Sequence, residues 1–204
     1  MNAIAPSLSR RERKKRELRD KIKAETQELI AAKGTEEVTI DAICEAVDIS
    51  RKTFYNYYGT KDELLFDICV ARLVELIEGS IDEAMAAHQG LAARLGHVLN
   101  SMRDHLRDSS EVEMEFARYS ITSIGHSLSS GGTLLSLMND YFLRLFREHQ
   151  PEIRPGLCAD FCAEMTVGMV NSVILNAIHQ ADYDSSTRYN ELRDFLLQSM
   201  VRGD

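Results

Sequence analysis

Residues 39–65 read TIDAICEAVDISRKTFYNYYGTKDELL, and the local signals in this stretch decide the fold. Thr39 offers an N-cap, and Ala42, Ile43, Ala46 and Val47 recur behind it at helical spacing as one apolar face. Asp48-Ile49 interrupts that pattern. Aspartate tolerates a left-handed backbone better than most non-glycine residues, so Asp48 fits the turn. Ser50 then caps a second short helix, Arg51 to Tyr58, and its hydroxyl can satisfy amides left free in the first turn. Gly59-Thr60 break the pattern again. Two short helices joined by a three-residue turn make a helix-turn-helix candidate.

The second of these helices carries the chemistry. Ser50 to Tyr57 presents Arg51, Lys52, Thr53, Tyr55, Asn56 and Tyr57, while Phe54 and Tyr58, four apart, turn back into a small core. Arg51 and Lys52 can donate to guanine O6 and N7, Asn56 suits adenine, and the Thr53 methyl suits thymine. Tyr55, Tyr57 and Lys61 are placed for phosphate oxygens, which fix register without reading sequence.

Charge agrees with this reading once its distribution is considered. The net charge of −8 taken alone argues against a nucleic acid partner. However, residues 1–60 hold 12 Lys and Arg against 10 Asp and Glu, whereas residues 61–204 hold 12 against 22. Nine of the basic residues fall within 10–23, among only three acidic ones. A basic front of this kind can meet a polyanion while an acidic body stays clear of it. Residues 1–17 are read as a basic N-terminal arm that adds phosphate contacts, reaches a minor groove, or serves only as a solubilising tail.

Working outward, every remaining segment reads as helix. Leu18, Ile22, Leu29 and Ile30 mark a helix from Arg10 to Lys33, stopped at Gly34. Thr60 caps a helix from Lys61 to about Ala87, with Leu64, Leu65, Ile68, Leu73, Leu76 and Ile77 as its buried stripe. Further helices are expected over Leu91–Arg107, Glu111–Ile124, Thr133–His149, Gly156–Gln180 and from a Ser185 or Ser186 cap to about Val201. The segment Gly125 to Gly132, rich in Ser and Gly, is read as a break. Three prolines and no tryptophan fit long helices, and no strand pattern or internal repeat appears. The expected fold is all-α, with a helix-turn-helix domain over 18–60 and a helical body over 61–204. No apolar run is read as long enough for a membrane span, and no signal peptide opens the chain. The reading is cytoplasmic, with no membrane partner.

The run Ile40-x2-Ile43, then Val47-Asp48-Ile49-Ser50-x2-Thr53-Phe54-Tyr55-x-Tyr57-Tyr58-x2-Lys61-Asp62-Glu63-Leu64, resembles the TetR family signature, with Gly34 as the glycine closing the first helix. The resemblance covers about residues 19–66; beyond that only the architecture is similar. It implies a dimeric all-α regulator with a ligand-binding, dimer-forming body. It further implies that Thr39 touches phosphate, that Arg51, Lys52 and Thr53 lie at base edges, and that Tyr55 is shared between base and backbone. Tyr57 and Lys61 would grip the backbone. Three positions depart from the pattern. Asp48 stands where the turn usually has Gly, Lys52 where Gly or Pro is common, and Glu25-Thr26 replace the usual small pair of the first helix.

The resemblance also implies an effector pocket in the body. Met102, His105, Met114, Phe116, Tyr119, Met138, Phe142 and Met165 are candidate lining, since Met and aromatic side chains shape adaptable apolar cavities; each is equally at home in an ordinary core. Gly168-x3-Ser172 lets a second helix approach closely. With Leu192, Phe195 and Leu196 of the last helix it suggests a four-helix dimer interface or, equally, packing within one chain. Cys158 and Cys162 are four apart, but no third ligand accompanies them and no histidine shows metal spacing. No nucleophile elbow or phosphate-cradling loop is present, so no enzyme, cofactor or metal is expected.

The combined expectation is a homodimeric, ligand-responsive regulator, most readily a repressor, that binds a palindromic duplex operator and is released by a small apolar or amphipathic effector. An effector-independent architectural or cell-division DNA-binding protein of the same fold is the alternative. A helical ligand-binding or metal-dependent protein is the reading from outside DNA binding.

Overall fold

Helix α1 (Arg10–Lys33) begins at a capping box, with Ser9 Oγ accepting from the Glu12 amide at 3.3 Å and the Glu12 carboxylate accepting from the Ser9 amide at 2.9 Å. It ends at Gly34, whose φ of 82° places it in the left-handed region. The computed structural model describes residues 9–109, 114, 128–180 and 182–203, and its helices pack as two units, Met1–Ile68 and Cys69–Asp204. Of the expected helix Glu111–Ile124 only Met114, which is helical, is among the described residues.

In the first unit, α1 packs on α2 (Ile40–Val47) and α2 on α3 (Arg51–Tyr55). Thr39 and Ser50 cap α2 and α3, their Oγ atoms accepting from the Ala42 amide at 3.2 Å and the Thr53 amide at 3.1 Å. Asp48 has φ 60° and ψ 54°, the left-handed turn position expected of it. Ile22, Ile30, Ile43, Val47, Phe54, Tyr58, Leu64 and Ile68 are buried. Thr26, one of the departures in the first helix, is fully buried and donates to the Ile22 carbonyl at 2.7 Å, so its hydroxyl carries its own partner into the core.

Two expectations need correction here. Cys44 is buried and Ala46 exposed, because the stripe Ile40, Ile43, Cys44, Val47 follows the i, i+3, i+4, i+7 pattern and Ala46, at i+6, falls outside it. The second helix is also shorter than expected. Its regular part ends at Tyr55, and Asn56 to Tyr58 continue as a turn whose Tyr57 and Tyr58 amides both donate to the Phe54 carbonyl.

Helix α4 (Lys61–Ala87) starts in the first unit, with Thr60 Oγ accepting from the Glu63 amide at 3.1 Å, and continues into the second. Leu73 and Leu76 of its predicted stripe are only half-buried, while Ser80, Ile81 and Ala84 are buried. The second unit adds α5 (Leu91–Asp108), α6 (Leu128–Glu148), α7 (Ala159–His179) and α8 (Ser185–Met200). Here α6 packs on α7, α5 on α8, and α7 on α8. Leu91, Leu95, Val98, Phe142, Leu145, Phe146, Cys162, Val170 and Leu196 belong to one apolar core. Buried His149 accepts from Arg94 Nη1 at 2.7 Å and donates to the Leu145 carbonyl.

Two boundaries in this unit, and one exclusion, differ from the sequence reading. Helix α6 includes residues 129–132, which were expected to break it. Each glycine costs a helix about 1 kcal/mol, and the buried stripe Met138, Phe142, Leu145 and Phe146 of the same helix outweighs that. Asp184, not a serine, caps α8 by accepting from the Thr187 amide at 3.0 Å. Helix α7 is long and apolar enough, by length and composition, to cross a membrane; it lies against α6 and α8 in the core. Among the described residues the extended pairing is one antiparallel bridge, Ile153 with Val201.

A single polar cluster ties α1, the turn after α3 and α4 together. Tyr58 Oη donates to Asp67 Oδ2 at 2.7 Å, and Arg19 Nε lies 3.1 Å from both Tyr58 Oη and Asp67 Oδ2. The Arg19 guanidinium also sits 5.2 Å from the Tyr58 ring centre. Burial, then the bond to Asp67, pushes the Tyr58 phenol above its ordinary value. The folded phenol thus keeps a proton that the unfolded chain releases near pH 10, so its contribution is complete below about pH 10 and falls as pH rises further. Tyr58→Phe is expected to lower stability by about 1–2 kcal/mol at neutral pH, and to flatten the fall above pH 10. Urea denaturation at pH 7 and across pH 9–11 checks both.

Candidate nucleic-acid interface

A five-residue helix exposes few side chains, and α3 sorts them sharply. Phe54 is completely buried, whereas Arg51, Lys52, Tyr55 and the following Asn56 are exposed and Thr53 and Tyr57 half-buried. Tyr55, 51% exposed, is propped edge-on against the Phe54 ring at 5.6 Å. An aromatic ring held out in water by its buried neighbour is available to an outside surface. Lys52 and Asn56 have no side-chain partner among the described residues, so their donors are open.

Other predicted contact residues are partly engaged. Arg51 donates through Nε and Nη2 to the two carboxylate oxygens of Asp41, a side-on bidentate pair joining α3 to the first turn of α2. The Arg51 hydrogen bond holds the Asp41 carboxyl below its usual range. Both groups are more than 60% exposed, so solvent screens the pair and its effect on stability is small. Its effect is geometric: the guanidinium is held in one orientation with Nη1 unused. Thr39 and Ser50 act as caps, and Ser50 Oγ lies 2.9 Å from Thr53 Oγ1. Lys61 Nζ donates to the Thr35 and Val38 carbonyls at 3.0 and 2.9 Å, which leaves one N–H for an outside acceptor. Lys21 Nζ likewise donates to the Val47 carbonyl at the end of α2.

Two features were missed from sequence. The partnership of Asp41 with Arg51 spans ten residues and the turn between helices, and no local pattern announces it. The second is a groove between the start of α1 and the end of α3, lined by Arg10, Arg11, Lys14 and Lys15 together with Thr53, Asn56 and Tyr57. The basic composition of residues 10–23 signalled the charge but not its place.

In the second unit, Met102, Met138 and Phe142 share the apolar core and Met165 packs against it. His105 is exposed, because the buried stripe of α5 runs through Leu95, Val98, Leu99 and Met102 and passes it by. Met114 is half-buried, and Phe116 and Tyr119 lie outside the described residues. Of the candidate dimer residues, Gly168, Ser172 and Phe195 face outward, whereas Leu196 and Leu192 point into the unit's own core. Cys158, at the start of α7, is exposed and Cys162 buried, its thiol pushed up by burial. Among the described residues no group of three His, Cys, Asp or Glu side chains is placed to hold a metal ion.

Residues 22–68 match the model of the family described as bacterial regulatory proteins, tetR family. The HTH-type transcriptional regulator TcmR of Streptomyces glaucescens is 31% identical over 97 residues, which span 46% of this chain and 42% of that protein. Among solved structures, Thermus thermophilus FadR, a TetR-family transcriptional repressor in complex with lauroyl-CoA, superposes with a TM-score of 0.65 at 19% identity. That match covers 91% of this chain and 96% of FadR. A TetR transcriptional regulator from Chloroflexus aurantiacus gives 0.62 at 17% identity, over 94% of this chain and 100% of the other. Residues 22–68 therefore resemble the tetR family of bacterial regulatory proteins, and the chain as a whole shares the fold of the solved regulators it superposes on.

Proposed function

We propose that the protein is a ligand-responsive transcriptional repressor that binds a palindromic DNA operator as a homodimer and leaves it when a small apolar or amphipathic effector binds the body. The observation that carries this reading is the sorting of α3. Its one apolar side chain is buried, and its cationic, amide and phenol groups stand in solvent within the residues that match the tetR family model. Arg51, Lys52 and Asn56 reach base edges; Tyr55, Tyr57, Thr39 and the spare N–H of Lys61 take phosphates.

Three features support the remaining parts. Exposed Phe161, Gly168, Ser172 and Leu175 recur along one face of α7, with exposed Phe195 on α8, an apolar surface suited to a second copy. Gly168 has open space where a side chain would stand, so a second helix can come close. The Met102, Met138, Phe142 and Met165 cluster offers flexible apolar side chains that can part for an apolar ligand, and FadR, which has the same fold, was solved with lauroyl-CoA. Helix α4 has residues in both units, so an effector that repositions it can act on DNA affinity. The change is no larger than the effector's preference for the released form. Such a protein acts in the cytoplasm.

The test is selection of duplexes from a random pool by the purified, ligand-free protein at physiological salt. A palindrome with half-sites about one helical turn apart is expected. Folded protein that enriches no sequence would refute the reading. On the selected operator, Arg51→Ala is expected to cost about 1–3 kcal/mol and to relax one position per half-site; unchanged affinity and sequence preference would remove Arg51 from base reading. Asp48→Gly is expected to raise stability by up to about 1 kcal/mol by relieving a left-handed non-glycine residue. It also tightens operator binding by removing a carboxylate close to phosphate, which thermal melting and fluorescence anisotropy would register.

A further inference from the structure

The start of α1 is arranged against its own stability. Arg10, Arg11, Lys14 and Lys15 form two like-charge pairs four residues apart, Arg10 with Lys14 and Arg11 with Lys15. Such pairs repel, and cations in the first turns oppose the helix dipole. Nearby cations are neutralised within the unit: Arg13 by Glu17 at 3.5 Å, Arg16 by Asp20 at 4.0 Å, and Arg19 and Lys23 by Asp67 at 3.1 and 3.8 Å. Arg10, Arg11, Lys14 and Lys15 are exposed and have no partner among the described residues, so each lacks the anion its neighbours have.

These four also line the groove shared with Asn56 and Tyr57 at the end of α3, beside Lys21, whose ammonium is engaged by the Val47 carbonyl. Glu17 borders the same groove, but its carboxylate is engaged by Arg13. The capping box at Ser9 fixes the helix start, so the charges stand on a formed helix. The family match begins at residue 22, and α1 begins at Arg10. The three turns of α1 that precede residue 22 therefore span about 18 Å at 1.5 Å per residue, roughly half a turn of duplex.

We infer that this face of α1 is an added phosphate-binding surface that receives the duplex backbone flanking the half-site read by α3. The inference rests on the DNA-binding reading above and extends it. Continuity with Asn56 and Tyr57 selects a duplex as the occupant, since a strand leaving the end of α3 passes over the same four cations. The sequence read is unchanged; affinity, footprint and salt dependence are what the surface supplies.

The experiment compares wild type with the quadruple variant Arg10→Gln, Arg11→Gln, Lys14→Gln, Lys15→Gln on two duplexes, the selected operator alone and the same operator extended by about one turn on each side. Glutamine keeps helix propensity, and circular dichroism confirms that the helix content is retained. Wild type is expected to bind the extended duplex at least 10-fold more tightly, and the variant to bind both alike with the same selected sequence. The slope of log K against log salt should become shallower by about 0.9 per lost phosphate contact, so about 3–4 per subunit. Arg13→Gln with Arg16→Gln, on the ion-paired face, should leave that slope unchanged. Wild type that binds both duplexes alike, or a quadruple variant with the wild-type slope on a specifically bound operator, would overturn this inference while leaving the DNA-binding reading intact. So would loss of binding to phosphatidylglycerol vesicles with operator binding unaltered, which would assign the face to a membrane. Failure to select any duplex would overturn both.

Discussion

The burial of Phe54 and Tyr58 is the constraint on which the rest of the first unit depends. A helix of five residues has almost no stability of its own, because nucleation costs more than so few hydrogen bonds return. Anchoring α3 therefore falls to tertiary contacts. Phe54 is completely buried and Tyr58 nearly so, worth roughly 1.5–3 kcal/mol for each side chain. Their positions four apart leave Arg51, Lys52, Tyr55 and Asn56 on the other side. The same anchoring that stabilises the helix thus fixes which side chains reach outward, and the hydrogen bond from Tyr58 to Asp67 ties that anchor to α4.

Two lysines of this unit act as internal clasps. Lys21 and Lys61 each satisfy carbonyls in the segments around α2. The distinction between cations that hold the unit together and cations that remain open is the physical content of the basic front. A net charge of −8 for the whole chain conceals it. The acidic excess lies in residues 61–204, so that part of the chain repels a polyanion.

The sequence was most legible where structure is set by near neighbours. Thr39, Ser50 and Thr60 cap the helices they precede, Gly34 ends α1, Asp48 takes the left-handed turn, and Phe54 and Tyr58 turn inward. Each follows from contacts within about four residues. What escaped was decided by packing at long range. Asp41 grips Arg51 across the turn, and Lys61 bends toward the loop before α2. Residues 129–132 join α6 because a buried stripe further along outweighs their weak propensity. Leu196 enters its own unit's core, while Phe195 beside it stays exposed. A periodic pattern marks both as apolar, and only the packed neighbours decide which faces out.

Methylation interference on the selected operator tests the central claim, that α3 reads DNA from the major groove, most directly. Methyl groups at guanine N7 lie in the major groove, and those at adenine N3 lie in the minor groove. Entry of α3 into the major groove predicts interference at guanine N7 at symmetry-related positions of the two half-sites, and its loss at one position in each half-site in Arg51→Ala. Binding that tolerates every guanine N7 methyl group and is blocked only at adenine N3 would contradict that mode of reading.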